Sequence, residues 1–340
     1  LSAVVRAGCA ALLTFFCAGC TSFLGWQAEP AMAQRGPIPT RTQEPIKLTY
    51  LAFRPRAAQT QAQGKLALSV ISQYSNSFEN GFSDTQSVVI DAELWRNSVV
   101  TRYGLTPRSD IEMEIPVMYA TSGFLDAIIE GYHEFFGFPD GGREKRERYD
   151  YEVEVFSDGH EAYTLEGNHL GLGDIPIIYT HQFLDEQDAW ASLAVRLGIE
   201  LPTGSESKGF GNGKVDVGGG VLAQHTGGRW TTTGAVDYVY AGNASAFAAA
   251  DVNPAPQFDG QLGLEYRWND VSSLLGGLVL DLPVTHDIDL KEIDKPILSL
   301  DLGVAWDVAE RSQLFLGLTE DVIAESGPDI TFNFVFKCGF

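Results

Sequence analysis

Charged side chains recur at alternate positions in this chain. Asp110, Glu112 and Glu114 form one such row, Asp91 and Glu93 a second, Arg196 and Glu200 a third, and Glu265 with Arg267 a fourth. Asp174, Asp216, Asp237, Asp259, Asp281, Asp301 and Lys337 are single charges set among apolar neighbours in the same manner. A period of two places such a row on one face of a β-strand. The chemistry of that face is fixed negative charge. Around a narrow aqueous passage it would concentrate cations, opposed only by Arg102, Arg196, Arg267 and Lys337.

Other chemistries find less support. Gly209-Phe-Gly-Asn-Gly-Lys214 has the look of a phosphate cradle, but Val215 stands where a P-loop needs Ser or Thr. It reads as a flexible loop. Asp287, Asp289, Glu292 and Asp294 could offer oxygen ligands to Ca²⁺, yet their spacing is not that of an EF-hand, and a solvated acidic loop is the default. The histidines are scattered and no G-x-S-x-G elbow exists. His160 and His169, with Asp158, are the nearest approach to a hydrolytic site. No catalytic residue, cofactor or metal is assigned, and an enzyme is not expected.

Elements with alternating apolar faces position these charges. Leu66, Leu68, Val70 and Tyr74 share a face, as do Val88, Ile90, Ala92 and Leu94. Parity then slips to Val99, Thr101, Tyr103 and Leu105, which a β-bulge near Arg96-Asn97 would explain. Ile111 to Tyr119, Ile175 to Phe183, Ala191 to Leu201, Val215 to Ala223 and Trp230 to Tyr240 continue the series. Phe258 to Trp268, Leu274 to Leu282, Leu298 to Trp306, Leu314 to Leu318 and the C-terminal segment complete it, giving twelve strands. The outward positions carry no charge. Aromatics gather at both ends of that face: Tyr103, Phe183, Trp230, Trp268, Trp306 and Phe340 at one, Tyr74, Tyr119, Tyr240, Phe258 and Phe332 at the other. An uncharged outer face between two aromatic girdles predicts a transmembrane antiparallel β-barrel. A soluble sandwich is the alternative. Trp95, Trp190 and Phe315 are candidates for closing the lumen.

Connections alternate between short turns and longer loops at 77–86, 121–171, 202–214, 241–256, 283–296 and 320–329. Short turns are expected on the periplasmic side and long loops outside. In the longest loop, Phe124, Ile128, Ile129, Tyr132, Phe135 and Phe136 have helical spacing, and Pro139-Asp-Gly would stop the helix. This amphipathic helix is either a lid or lipid-contacting element at the barrel mouth, or a plug packed on its own loop.

The N-terminus has Arg6 before an apolar run, Ala10 to Gly19, and reads as an export signal over 1–33. Cleavage is expected after Ala33 or, through a lipoprotein-like box, before Cys20. Residues 34–64 are Pro-, Gln- and Arg-rich without periodicity and read as a periplasmic lead-in to a barrel at 65–340. The net charge of −22 offers no basic stripe to nucleic acid. Outer-membrane lipid, lipopolysaccharide bridged by divalent cations, and a small-molecule solute are the expected partners.

The final strand, Thr331 to Phe340, places Phe332, Phe334, Phe336, Cys338 and Phe340 on one face and ends in an aromatic. That resembles the assembly signal of Gram-negative outer-membrane barrels, with Phe336 and Phe340 as its carriers and the barrel-assembly machinery as its reader. Arg102-Tyr-Gly-Leu-Thr-Pro-Arg108, Gly171-Leu-Gly-Asp174 and Leu201-Pro-Thr-Gly204, in that order, resemble an uncharacterised family of outer-membrane barrels. They are also similar to the barrels associated with meta-pathway phenol degradation. The resemblance implies a 12-strand barrel in the outer membrane and a passive conduit for small molecules, hydrophobic ones among them. The alternative is a structural or surface-interaction barrel with a filled lumen.

Overall fold

The computed structural model describes residues 34–137, 143, 146, 148–157, 159–165, 167–322 and 327–339. The expected signal at 1–33, Asp158 and Phe340 lie outside these residues. The alternating segments form β1 (Leu66–Phe82), β2 (Gln86–Thr106) and β3 (Ser109–Thr121). The long loop then holds α1 (Asp126–Phe136), β4 (Glu152–Ser157), β5 (His160–Leu165) and β6 (His169–Leu172). There follow β7 (Ile175–Leu184), β8 (Ser192–Leu201), β9 (Asp216–Gly227), β10 (Trp230–Tyr240), α2 (Ser245–Ala249), β11 (Gln257–Arg267) and β12 (Ser272–Asp281). The chain ends with β13 (Ile297–Ala309), β14 (Ser312–Asp321) and β15 (Ile330–Gly339).

β1 pairs antiparallel with β2 on one side and β15 on the other, so the sheet closes on itself. The ring runs β1-β2-β3-β7 and then in sequence order through β15, a closed barrel of 12 strands with no free edge. The remaining strands are additions at the loop end. β4 pairs with the outer end of β2, β5 with β4, and β6 with the outer end of β3.

Exposure confirms one apolar face. Leu197, Val236, Leu262 and Leu302 are all exposed. So are Ile111, Met113, Ile115 and Val117 along β3. Intervening residues such as Thr180, Arg196, Asp237 and Asp301 are buried inside. Tyr103, Phe183, Trp230 and Trp268 lie exposed toward the turn end, with Tyr238, Tyr240, Phe258 and Phe332 toward the loop end.

Two expectations about β1 and β2 fail for one reason. The loop expected at 77–86 shrinks to Ser83–Thr85, because the two strands continue paired to Phe82↔Ser87. The bulge expected at Arg96-Asn97 is absent, since the β1–β2 register is unbroken from Leu66↔Tyr103 outward. At about 3.3 Å per residue, the 21 residues of β2 far exceed an apolar belt about 25 Å tall. Its outer half therefore stands clear of the membrane. There Val88, Ile90 and Ala92 share the inner parity and pack into a cluster with Val153, Val155, Tyr163, Phe247 and Ile288. The apolar residues change faces at the boundary because the hydrophobic neighbours change sides.

Candidate functional site: the lumen and the segment that fills it

Residues 34–64 are not a periplasmic lead-in. They form a hairpin inside the barrel. Arg35 enters at the turn end, where its guanidinium meets Ser273 Oγ at 3.0 Å and Asp307. The backbone N–H groups of Arg35 and Gly36 donate to the Glu265 carboxylate. Thr40 Oγ1 donates to Asp301 Oδ2 at 2.7 Å. The tip is a 3₁₀ turn, Lys47–Thr49, at the loop end. Lys47 Nζ donates to Gln257 Oε1 at 2.6 Å and lies 3.3 Å from Asp259 Oδ1. The returning limb places Leu51 N on Asp216 and Ala58 N on Gln224, and ends with Gly64 N on Gly104 O back at the turn end. One segment can touch β1, β3, β7, β8, β9, β11, β12 and β13 only from within the ring.

The fit is polar and charge-matched. Arg54 forks onto Glu114 at 3.0 and 2.7 Å, and Arg56 onto Asp110 at 3.2 and 2.9 Å. Arg196 forks onto Asp237 at 2.7 and 2.6 Å and donates to Arg54 O. Bidentate guanidinium–carboxylate pairs fix orientation as well as charge. The hairpin carries Arg35, Arg41, Lys47, Arg54 and Arg56 against one acid, Glu44. It therefore brings to the acidic wall the cations that the wall lacks. One apolar anchor stands out. The Phe53 ring lies 4.8 Å from the Arg196 guanidinium and covers Gly198 and Gly218, where a Cβ would come within 2.8 and 2.9 Å of it. Glycine is required at these positions by the close approach.

At the loop end the tip is capped. Ile46 and Tyr50 join the outer hydrophobic cluster with Phe247, Val252, Ile288 and Leu290. Leu48 joins a second with Leu94, Met118 and Phe210. Tyr163, in the hairpin of the long loop, stacks on Phe247 with ring centroids 5.2 Å apart, and burial holds its phenol well above the usual value. The cap therefore carries no charge from that ring.

The charges expected inside separate into groups. Asp110, Glu114, Asp259, Glu265 and Asp301 contact the hairpin directly, as above, and Asp216 does so through Leu51. Glu112 is met by Arg102 at 2.8 Å, and Asp174 accepts from Gly204 N. Glu200 and Asp281 are buried at the inner parity. Arg267 and Lys337 line a cavity at the turn end. Asp91 and Glu93 do not face the lumen. They share parity with Trp95, Val99 and Tyr103, so their row was displaced by the absent bulge. Glu93 instead accepts the N–H groups of Phe124 and Leu125 and the Tyr74 hydroxyl.

That contact places the loop helix. Phe124 stacks on Tyr74 at 5.3 Å, and Asp126 is met by Arg143 at 2.7 Å and by Asn76. Tyr74 and Asn76 occupy the outer parity of β1, so α1 docks on the outside of the wall and is no plug. Ile129 packs inward, while Phe124, Ile128 and Phe135 are exposed. The side chains of Tyr132 and Phe136 lie outside the described residues. Of the expected lumen-closing residues, only Phe315 is inside, buried against Gly303 and Gly317. Trp95 binds Ser72 on the outer face, and Trp190 stacks on His225 at the turn end. Phe336 is on the outer parity of β15, but Cys338 is buried rather than open to lipid. Among the described residues no cluster of three or more potential metal ligands occurs. In the acidic loop at 287–294, Asp287 accepts from Asn253 N, Asp294 meets His286 and Glu292 meets Lys291.

Similarity to known proteins agrees with this architecture. The profile of the family described as "Protein of unknown function (DUF3187)" matches residues 17–340. Among curated proteins, none matches the chain. Among solved structures, the COG4313 outer membrane channel from Pseudomonas putida F1 superposes with a TM-score of 0.57 at 17% identity, covering 85% of this chain and 100% of that one. The KdgM porin matches with a TM-score of 0.42 at 6% identity over 80% of this chain and 99% of that one. The toluene transporter TodX of Pseudomonas putida matches with a TM-score of 0.35 at 11% identity, over 87% and 92%. At 17% identity the likeness to the COG4313 channel establishes a shared barrel fold and no more. The chain belongs to the DUF3187 family.

Proposed function

We propose that this protein is a channel of the Gram-negative outer membrane for small solutes, closed at rest by residues 34–64 and opened when that hairpin shifts. The observation that carries the reading is the way the hairpin is held. It is bound to the wall mainly by side-chain ion pairs and hydrogen bonds, not as a thirteenth strand. Such contacts form a separable piece: they can be exchanged for water and ions without breaking the ring of backbone pairing. The outward apolar face and its aromatic ends support a bilayer setting, with lipopolysaccharide around the loop end and the barrel-assembly machinery as the agent of insertion. A structural neighbour is a channel by its name, which agrees with this reading without carrying it.

A second reading is favoured by the same filled lumen: a structural or surface-interaction barrel that never opens. A locked variant separates the two. Thr40 and Asp301 touch through their side chains. Replacing both by cysteine, Thr40→Cys with Asp301→Cys, allows the hairpin to be tied to the wall by oxidation. In planar bilayers, the reduced form should show discrete openings and the oxidised form none. Equal openings in both states would exclude the hairpin as the gate. Silence in both states and in the unaltered protein would favour the structural barrel.

A further inference from the structure

The hairpin does not fill the barrel evenly. At the turn end it leaves a cavity of about 450 Å³. That is within the range of small-ligand sites, roughly 300–1,000 Å³. In a chain with a net charge of −22, the lining of this cavity is basic: Arg54, Arg56, Arg102, Arg196, Arg267 and Lys337, against the carboxylates of Glu112 and Glu186. Four of these cations are already committed: Arg54 to Glu114, Arg56 to Asp110, Arg102 to Glu112 and Arg196 to Asp237. Lys337 is not. Its Nζ donates to the carbonyl of Arg35 at 3.3 Å and has no carboxylate within 4 Å among the described residues.

The space beside Lys337 comes from the pairing. Lys337 lies opposite Ser69 on β1, and Arg102 lies opposite Ala67 on the same strand. All four share the inner parity. Two small side chains therefore separate a lysine on β15 from an arginine on β2, and both cations line the gap. The Arg102 Nε and Nη2 groups hold Glu112, with no hydrogen bond from Nη1 among the described residues. Farther in, Ile71, Val100, Ile178 and Pro55 supply apolar lining. The site thus combines ammonium and guanidinium donors with a hydrophobic wall.

We infer that this cavity binds a small organic anion of the monocarboxylate class, its carboxylate on Lys337 and Arg102 and its apolar body against Ile71 and Val100. The lysine is strongly hydrated and carries three donors, so an anion in the cavity replaces water that its single carbonyl contact does not. The inference goes beyond the channel reading. Binding at the turn end needs no opening of the barrel, so either can fail alone.

The test is calorimetric titration of the full folded protein in detergent with hexanoate, with hexanamide as its neutral counterpart and with sodium phosphate. Hexanoate should bind saturably and hexanamide should not. Lys337→Met should weaken hexanoate by about tenfold or more, since a charge-assisted contact is lost while the side-chain bulk is kept. Ser69→Leu, which fills the gap but leaves both cations, should abolish binding and serves as the decisive variant if Lys337→Met does not fold. Heat-modifiable mobility on gels checks folding of each. The proposal is overturned by no saturable hexanoate binding to the unaltered protein, by equal binding of hexanamide, by hexanoate binding unchanged in Lys337→Met or Ser69→Leu, or by phosphate competing as strongly as hexanoate, which would make the site one for any anion.

Discussion

At Asp110 a lumen-facing carboxylate proves to be occupied. Arg56 and the Gln61 N–H both bind it, so its charge is met by the hairpin. Removing one partner of a buried pair strands the other, at a cost of about 3–5 kcal/mol. Arg56→Met should therefore destabilise the folded protein, and adding Asp110→Asn should restore part of the loss. A double-mutant cycle read by denaturant unfolding in lipid checks this; strict additivity would show that the two groups do not interact. On the outer face the relevant quantity is transfer into hydrocarbon. Leu302 is 55% exposed there, and Leu302→Arg should cost on the order of 2–4 kcal/mol at mid-membrane. The same substitution at the turn-end residue Val308, also exposed, should cost about 0–1 kcal/mol because it sits near an interface. Equal costs in one unfolding titration would contradict the placement of the belt.

Among the elements, β4 and β6 hold the long loop to the barrel by backbone pairing, and α1 is held through Glu93. Glu93 accepts two N–H groups at the start of α1. Glu93→Ala should free that end of the helix and speed proteolysis between 122 and 148 while heat-modifiable folding stays unchanged; unaltered cleavage would show that Asp126 and Arg143 suffice. Strand periodicity was legible in the sequence because each wall strand separates lipid from interior, which writes a period of two into the side chains. It misled at β2, where Val88, Ile90 and Ala92 are apolar for another reason, the outer hydrophobic cluster. The hairpin at 34–64 was not legible as an element, since beyond the short 3₁₀ turn at Lys47–Thr49 it has no helix or strand and hence no period. Its signal was compositional: an arginine-rich stretch preceding strands that carry more inward acids than bases. Reading those two charge balances together would have joined them. A helix, Asp126–Phe136, lies within the segment of helical spacing, but spacing carries no information about which side of a wall a helix docks on.

For the whole molecule, one segment fills a barrel whose wall would otherwise be strongly acidic. With the hairpin in place, Arg35, Arg41, Lys47, Arg54 and Arg56 offset the inner carboxylates. Without it, Asp110, Glu114, Asp216, Asp259, Glu265 and Asp301 lose the contacts it makes to them, and fixed charge of that sign in a narrow pore selects cations. The preference should fade with salt, as the screening length falls from about 30 Å at 0.01 M to about 3 Å at 1 M. The direct measurement is single-channel recording in planar bilayers of the protein lacking residues 36–62, beside the full protein, with a reversal potential taken across a KCl gradient. The shortened barrel should assemble, stay open at a conductance above any level the full protein reaches, and be cation-selective. An assembled, shortened barrel that conducts no better than the full protein would contradict closure by the hairpin.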